Sequence, residues 1–201
     1  SWDSDQERLI LIAVPQKQPL DITTGMDALD LQDLEPLVEG RPLPGRNNRV
    51  LDWIVALNQG YRLPATLNSG TFDNATGVGA RRTYVAVGTS PDNARTETIV
   101  RAVRHGHAIM TTGPFLKVEL ITPTATAGPG DEVALPEGCA TLRIRLLTPS
   151  FVTLHRVQVL INGQRSPALQ FTPETHPALF GPPPLAFQAD LPLTLREDAH
   201  L

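Results

Sequence analysis

The residues best equipped for chemistry fall in a few short clusters. His105-Gly106-His107 has the His-x-His spacing by which two imidazoles at the end of a strand can share a metal ion. It follows a helical pattern here, so a cationic histidine against the helix dipole, with glycine as C-terminal cap, accounts for it, and the two rings are expected to diverge. Asp27, Asp30, Asp33 and Glu35 could place a catalytic carboxylate at a strand end. Alternation sets Asp30 opposite Leu29 and Leu31 with no second ligand nearby, which favours a solvated rim. Gly77-Val78-Gly79-Ala80-Arg81-Arg82 is half of a dinucleotide fingerprint. Arg82 stands where the third glycine belongs and a strand follows instead of a helix, so the turn that cradles a pyrophosphate is missing. A loop needing positive backbone angles explains these glycines better. Asn74-Ala75-Thr76 matches a glycosylation sequon, which matters only in a secretory setting. His155, His176 and His200 lack metal-like spacing, and no P-loop, Gly-x-Ser-x-Gly elbow or His-Glu-x-x-His helix is present.

The elements that must position these groups change character along the chain. Leu9–Val14 is an apolar run of strand length, and Ala28-Leu29-Asp30-Leu31 is a short alternating one. Val50, Leu51, Ile54, Val55 and Leu57 recur at helical spacing, with Gly60 placed as a left-handed cap. Pro64 to Ala80 reads as a strand end opening into a long loop, and Thr83–Val87 as a β-branched strand. Ser90-Pro91 predicts the start of a second helix, whose stripe of Ile99, Val100, Ala102 and Val103 ends at Gly106. Ala108–Thr112 is the next strand, and this alternation is the α/β signature. After Gly113-Pro114 helical periodicity disappears. Leu116–Ile121, Thr141–Leu147, Arg156–Ile161 and Ala186–Leu195 read as strands, with turns at Gly128-Pro129-Gly130 and Asn162-Gly163. The expected organisation is therefore an α/β region over residues 1–114, followed by an all-β region over 115–201 that reads as a β-sandwich.

Composition narrows the function classes. With 19 prolines in 201 residues an all-helical bundle is excluded, and Leu9–Val14, the longest apolar run, is far short of the ~18 residues of a membrane span. The chain is read as soluble with no membrane partner; its compartment is not fixed by the sequence, and export stays open. Cys139 alone permits neither an internal disulfide nor a cysteine zinc site. Fourteen bases against eight acids over residues 41–165 form no stripe and have few aromatics beside them, so nucleic acid is not expected as a partner. The chain begins Ser1-Trp2-Asp3 and stops just after an alternating stretch, Leu191–Leu195. It is read as a piece of a longer protein, cut short in its last domain.

The run Leu51-Asp52-Trp53-Ile54-Val55-Ala56-Leu57-Asn58-Gln59-Gly60-Tyr61-Arg62-Leu63-Pro64-Ala65-Thr66 resembles a stretch of the CehA/McbA-type metallohydrolases of the PHP (polymerase and histidinol phosphatase) superfamily. Arg82-Thr83-Tyr84-Val85, the helix ending at Gly106, Met110-Thr111-Thr112-Gly113-Pro114-Phe115 and Val157–Gly163 are also similar to that family, so the likeness spans roughly residues 27–201. The resemblance implies the last βα units of a distorted β/α barrel plus a C-terminal β-sandwich. It also implies a turn of the form Asn/Gly-Ser-Asp-x-His after the helix and strand, whose Asp and His help hold a metal cluster that activates water against a phosphate or other ester. Here the turn reads Asn68-Ser69-Gly70-Thr71-Phe72, and neither Gly70 nor Phe72 can coordinate a metal. Asp73 is one residue out of register, and the family's early His-x-His would lie upstream of Ser1.

Three readings follow. The first is a PHP-like portion that has lost its metal, a scaffold or binding module with no catalytic residue, no metal ligand and no cofactor. The second is an active hydrolase using zinc, manganese or iron, with ligands such as Asp73 and His107 or with ligands from a missing N-terminal segment of the same protein, which would then be its partner. The third is a carbohydrate- or protein-binding β-sandwich, against which the 5 % aromatic content speaks. A pocket belongs at the carboxyl ends of the α/β strands, lined by Asn68, Ser69, Asp73, Arg81, Arg82, Thr111 and Thr112, where the arginines could hold an anionic group or pair with the acidic N-terminal segment.

Overall fold

The computed structural model describes residues 11–12, 28–31, 49–69, 77–135 and 137–201. The chain divides into two compact units, Ser1–Thr111 and Thr112–Leu201. The described residues form a mixed α/β architecture with several β-sheets and two α-helices.

In the first unit β1 (Leu11–Ile12), β2 (Ala28–Asp30) and β3 (Ala65–Thr66) form a parallel sheet with β2 in the centre. Parallel neighbours need a crossover, and α1 (Arg49–Asn58) supplies it between β2 and β3. Leu29, Leu31 and Leu67 are fully buried and form a core with Leu63 and Ala65, against which Val50 and Trp53 of α1 pack. The Trp53 indole donates to the Leu63 carbonyl at 2.6 Å, giving the ring's one polar atom a partner where it is part-buried. Then β4 (Arg82–Val85) pairs antiparallel with β5 (Ala108–Thr111), although α2 (Thr96–Arg104) lies between them in sequence. Successive barrel strands run parallel, so this pair departs from the expected barrel, and the described strands do not close into one.

Both helices stop by the same device. Gly60 and Gly106 take the left-handed conformation, with φ of 86° and 73°. The glycine N–H groups reach Leu57 and Val103, and the next N–H groups, of Tyr61 and His107, reach Ala56 and Ala102. These are paired Schellman bonds, and they satisfy carbonyls that the helix leaves open. The start of α2 differs from expectation. Pro91–Asn93 forms a single 3-10 turn, the Ser90 side chain makes no capping bond, and the α-helix begins only at Thr96 after an extended Arg95. Asp92 and Asn93 compete with the backbone for hydrogen bonds and are poor helix formers.

The second unit is antiparallel. The order is β11 (Leu185–Thr194), β8 (Cys139–Leu147), β6 (Phe115–Ile121) and β7 (Thr126–Ala127), while β9 (Val157–Ile161) and β10 (Gln164–Phe171) make a separate hairpin. The hairpin turn has positive φ at both Asn162 and Gly163, 51° and 73°, the signature of a type I′ turn. The four-stranded sheet and the hairpin share one apolar core. Leu142, Ile144 and Leu146 of β8, Val157 and Val159 of β9, Phe171 of β10 and Phe187, Ala189 and Leu193 of β11 meet there. On the opposite face of the sheet, Lys117 and Glu119 of β6 pair in register with Arg145 and Arg143 of β8. Arg143 also makes a bidentate bond to Asp190 of β11, at 2.9 and 2.8 Å. No helix among the described residues is long and apolar enough to cross a membrane.

Candidate functional site

The end of β3 is where a site was expected, and its polar groups are engaged in holding backbone. The Thr83 hydroxyl accepts from the Leu67 N–H at 2.8 Å and donates to the Leu67 carbonyl at 2.9 Å. One residue further out, the Ser69 hydroxyl accepts from the Gly79 N–H at 2.7 Å and donates to the Arg81 carbonyl at 3.1 Å. Two side chains thus lace Leu67–Ser69 to Gly79–Thr83 and bring the two ends of the intervening residues together. Each hydroxyl has spent its single proton on a carbonyl.

Of the predicted pocket residues, Asn68, Ser69, Arg81, Arg82 and Thr111 belong to the first unit and Thr112 to the second. Gly70, Phe72 and Asp73 lie outside the described residues. Arg82 and Thr111 face each other across the β4–β5 ladder, with Thr111 buried and Arg81 and Arg82 half-buried, while Asn68 and Thr112 are exposed. The Arg82 Nε and the buried Thr66 hydroxyl have no hydrogen-bond partner among the described residues. In the acidic stretch Asp30 is half-buried between the buried Leu29 and Leu31, and Ala28, which alternation places on its face, is buried too, while Asp27, Asp33 and Glu35 lie outside the described residues.

The His-x-His cluster is a correction. The rings of His105 and His107 do not diverge. Their centroids lie 5.7 Å apart with planes tilted by 35°. The left-handed Gly106 turns the chain between the helical His105 and His107, and the two rings end in contact. The capping role does hold, since His105 is the C-cap residue and its Nδ1 lies 2.8 Å from the Arg101 carbonyl. Both rings line an open cavity of about 430 Å³ together with Thr89, Thr98 and Arg101. No group of three or more His, Cys, Asp or Glu able to hold a metal occurs among the described residues.

A second cavity, of about 510 Å³, lies in the second unit, lined by Thr148, Pro173, Pro177, Phe180, Pro182 and their neighbours. Sequence reasoning missed it because those prolines read only as punctuation between strands. On the charged face of the same unit, hydrogen bonding from Lys117 holds the Glu119 carboxyl below its ordinary range, and hydrogen bonding from Arg143 does the same for Asp190. Burial lowers the His200 imidazole.

No protein-family model, no curated protein and no solved structure matches this chain.

Proposed function

We propose that the chain is the C-terminal portion of a PHP-like metal-dependent hydrolase of the CehA/McbA type that has lost its terminal metal-binding turn and acts as a non-catalytic scaffold or binding module. The observation that carries this reading is the lacing at the end of β3. In the resembled family this segment runs directly into the ligand turn, whereas here Ser69 and Thr83 commit their hydroxyls to lacing Leu67–Ser69 to Gly79–Thr83. Gly70 and Phe72 at the ligand positions point the same way. The parallel β2-α1-β3 crossover supports reading the first unit as closing units of a β/α barrel. The core shared by the four-stranded sheet and the β9–β10 hairpin supports a β-sandwich for residues 115–201.

The test is elemental analysis of the purified chain combined with hydrolysis of a generic phosphodiester and an aryl ester. The expected result is no cluster of zinc, manganese or iron, and hydrolysis no different in the chain and in Asp73→Ala. Two or more tightly bound ions per chain, or a metal-dependent activity that collapses in Asp73→Ala, overturns the reading.

A further inference from the structure

We propose that His105 and His107 form a mononuclear, solvent-open site for a borderline transition-metal cation of the copper(II) or zinc(II) class at the C-terminal end of α2. The proposal does not depend on the hydrolase reading.

The backbone on both sides of the pair is fixed. The His105 N–H bonds to the Arg101 carbonyl at 3.0 Å, the His107 N–H to Ala102 at 2.9 Å, and the His107 carbonyl accepts from Ala86 at 2.8 Å, at the end of the β4–β5 ladder. The ring separation of 5.7 Å fits a shared ion. With metal–nitrogen bonds of about 2.0–2.1 Å, two imidazoles on one ion have centroids roughly 5 to 6 Å apart. The tautomer of His105 is set by its partner. A carbonyl oxygen can only accept, so the Nδ1 that contacts Arg101 at 2.8 Å carries a proton, and the neutral ring that a metal takes then has its lone pair on Nε2. A ring N–H donated to a backbone carbonyl is the outer-shell arrangement that orients metal-binding histidines. A neutral imidazole carries one lone pair in either tautomer, so His107 brings the same type of donor.

Charge and space discriminate between ligands. The carbonyls at the end of α2 give it a partial negative charge, which favours a cation and disfavours an oxyanion. Imidazole donors select copper, zinc or nickel over magnesium or calcium, which prefer oxygen. The cavity of about 430 Å³ leaves room for waters to complete the coordination. The opposing residue is Arg101, which lines the same cavity and whose positive charge repels a metal.

The experiment is a titration of the full chain with copper(II) in a non-coordinating buffer, followed by electron paramagnetic resonance. One ion per chain with two-nitrogen ligation is expected. His105→Gln and His107→Gln should each weaken binding about tenfold or more and leave one nitrogen on any residual copper, with helical circular dichroism unchanged. Arg101→Met keeps the backbone carbonyl and removes the opposing charge, so it should bind copper more tightly. A double His176→Gln/His200→Gln substitution should bind as the parent does. The proposal is overturned if both single histidine variants bind copper like the parent, if the parent shows no site tighter than millimolar, or if inorganic phosphate binds this cavity and is lost in Arg101→Met. Metal that survives both histidine substitutions also overturns it, and two or more such ions per chain would overturn the non-catalytic reading as well.

Discussion

The two units of this chain are held together by different means. Among the described residues of the first, strands are short, with two residues in β3 and four in β4, and single side chains bond to distant backbone: Thr83 to Leu67, Ser69 to Gly79 and Arg81, Trp53 to Leu63. In the second, β11 runs for ten residues beside β8, the ladder fixes register over most of that length, and a phenylalanine-containing core fills the space beneath. A structure closed by few polar bonds is vulnerable to the loss of one hydroxyl. One closed by a long ladder over an apolar core tolerates polar change and is vulnerable to lost volume.

The two can be followed separately. Trp2, Trp53, Tyr61 and Tyr84 all precede Thr112, so indole and phenol signals report the first unit, while far-ultraviolet circular dichroism reports both. The largest expected effect is that of Phe187→Ala. Phe187 is completely buried and stacks edge-on against Phe180 with centroids 5.0 Å apart. Its truncation is expected to cost the second unit about 3–5 kcal/mol, a large share of a small domain's stability. The dichroism transition should move in urea while the indole midpoint stays in place. Movement of both together would show that the units unfold as one and would dissolve the contrast.

Gly138→Ala comes next, and it probes the second unit through its backbone. Gly138 has a φ of 67°, and a Cβ there would collide with the Leu195 carbonyl oxygen. Left-handed strain plus displacement of the strand end should cost about 2–4 kcal/mol, again visible in dichroism and not in indole fluorescence. Thr83→Val is the counterpart in the first unit. It keeps the shape and removes the hydroxyl, leaving the Leu67 N–H and carbonyl without that partner, at a cost of about 1–3 kcal/mol. Here the indole midpoint should fall, and Thr83→Ser should recover most of it. An unchanged Thr83→Val midpoint would mean that the lacing is incidental and would remove the main support for reading it as a structural replacement for a metal turn.

How much of this was legible in the sequence varies with the kind of signal. The end of α1 was readable because one glycine at one spacing has a single physical explanation, a left-handed cap, and Gly60 fulfils it. The Asn162-Gly163 turn was readable for the same reason. The strand β10 was not, because Pro167 interrupts it. In the structure the β9–β10 register shifts between Arg165 and Gln170, and the proline falls in that irregular stretch, where its missing N–H costs no ladder bond. At the candidate site the sequence put Ser69, Arg82 and Thr111 near one another but could not show which atoms of Ser69 and Thr83 meet which backbone groups, since those partners are ten to sixteen residues away. The histidine pair failed differently. Side-chain direction was inferred without allowing for the reversal that Gly106 imposes.

The smallest effects are electrostatic, and they sharpen the contrast through pH. Arg143 donates to both oxygens of Asp190 and holds that carboxyl below its ordinary value. A depressed folded-state value means that the folded chain binds fewer protons than the unfolded one. The stabilisation is therefore complete above the unfolded carboxylate value of about 3.9 and is lost as pH falls through the folded value. Because the pair is exposed, salt should screen it. His200 works in a separate window. Burial lowers its imidazole, while its backbone N–H donates to Asn162 Oδ1 and its carbonyl accepts from the Asn162 N–H, both at 2.9 Å. A base with a lowered folded value also favours the folded state only while neutral, so its contribution is lost as pH falls below the ordinary histidine value of about 6.5. Urea midpoints by circular dichroism should thus decline in two steps. His200→Gln should flatten the step between pH 7 and 5 at any salt concentration. Asp190→Asn should flatten only the step below pH 4, and only at low salt. A parent curve with no decline between pH 7 and 5 would mean that the His200 imidazole gains no shelter from the hairpin turn.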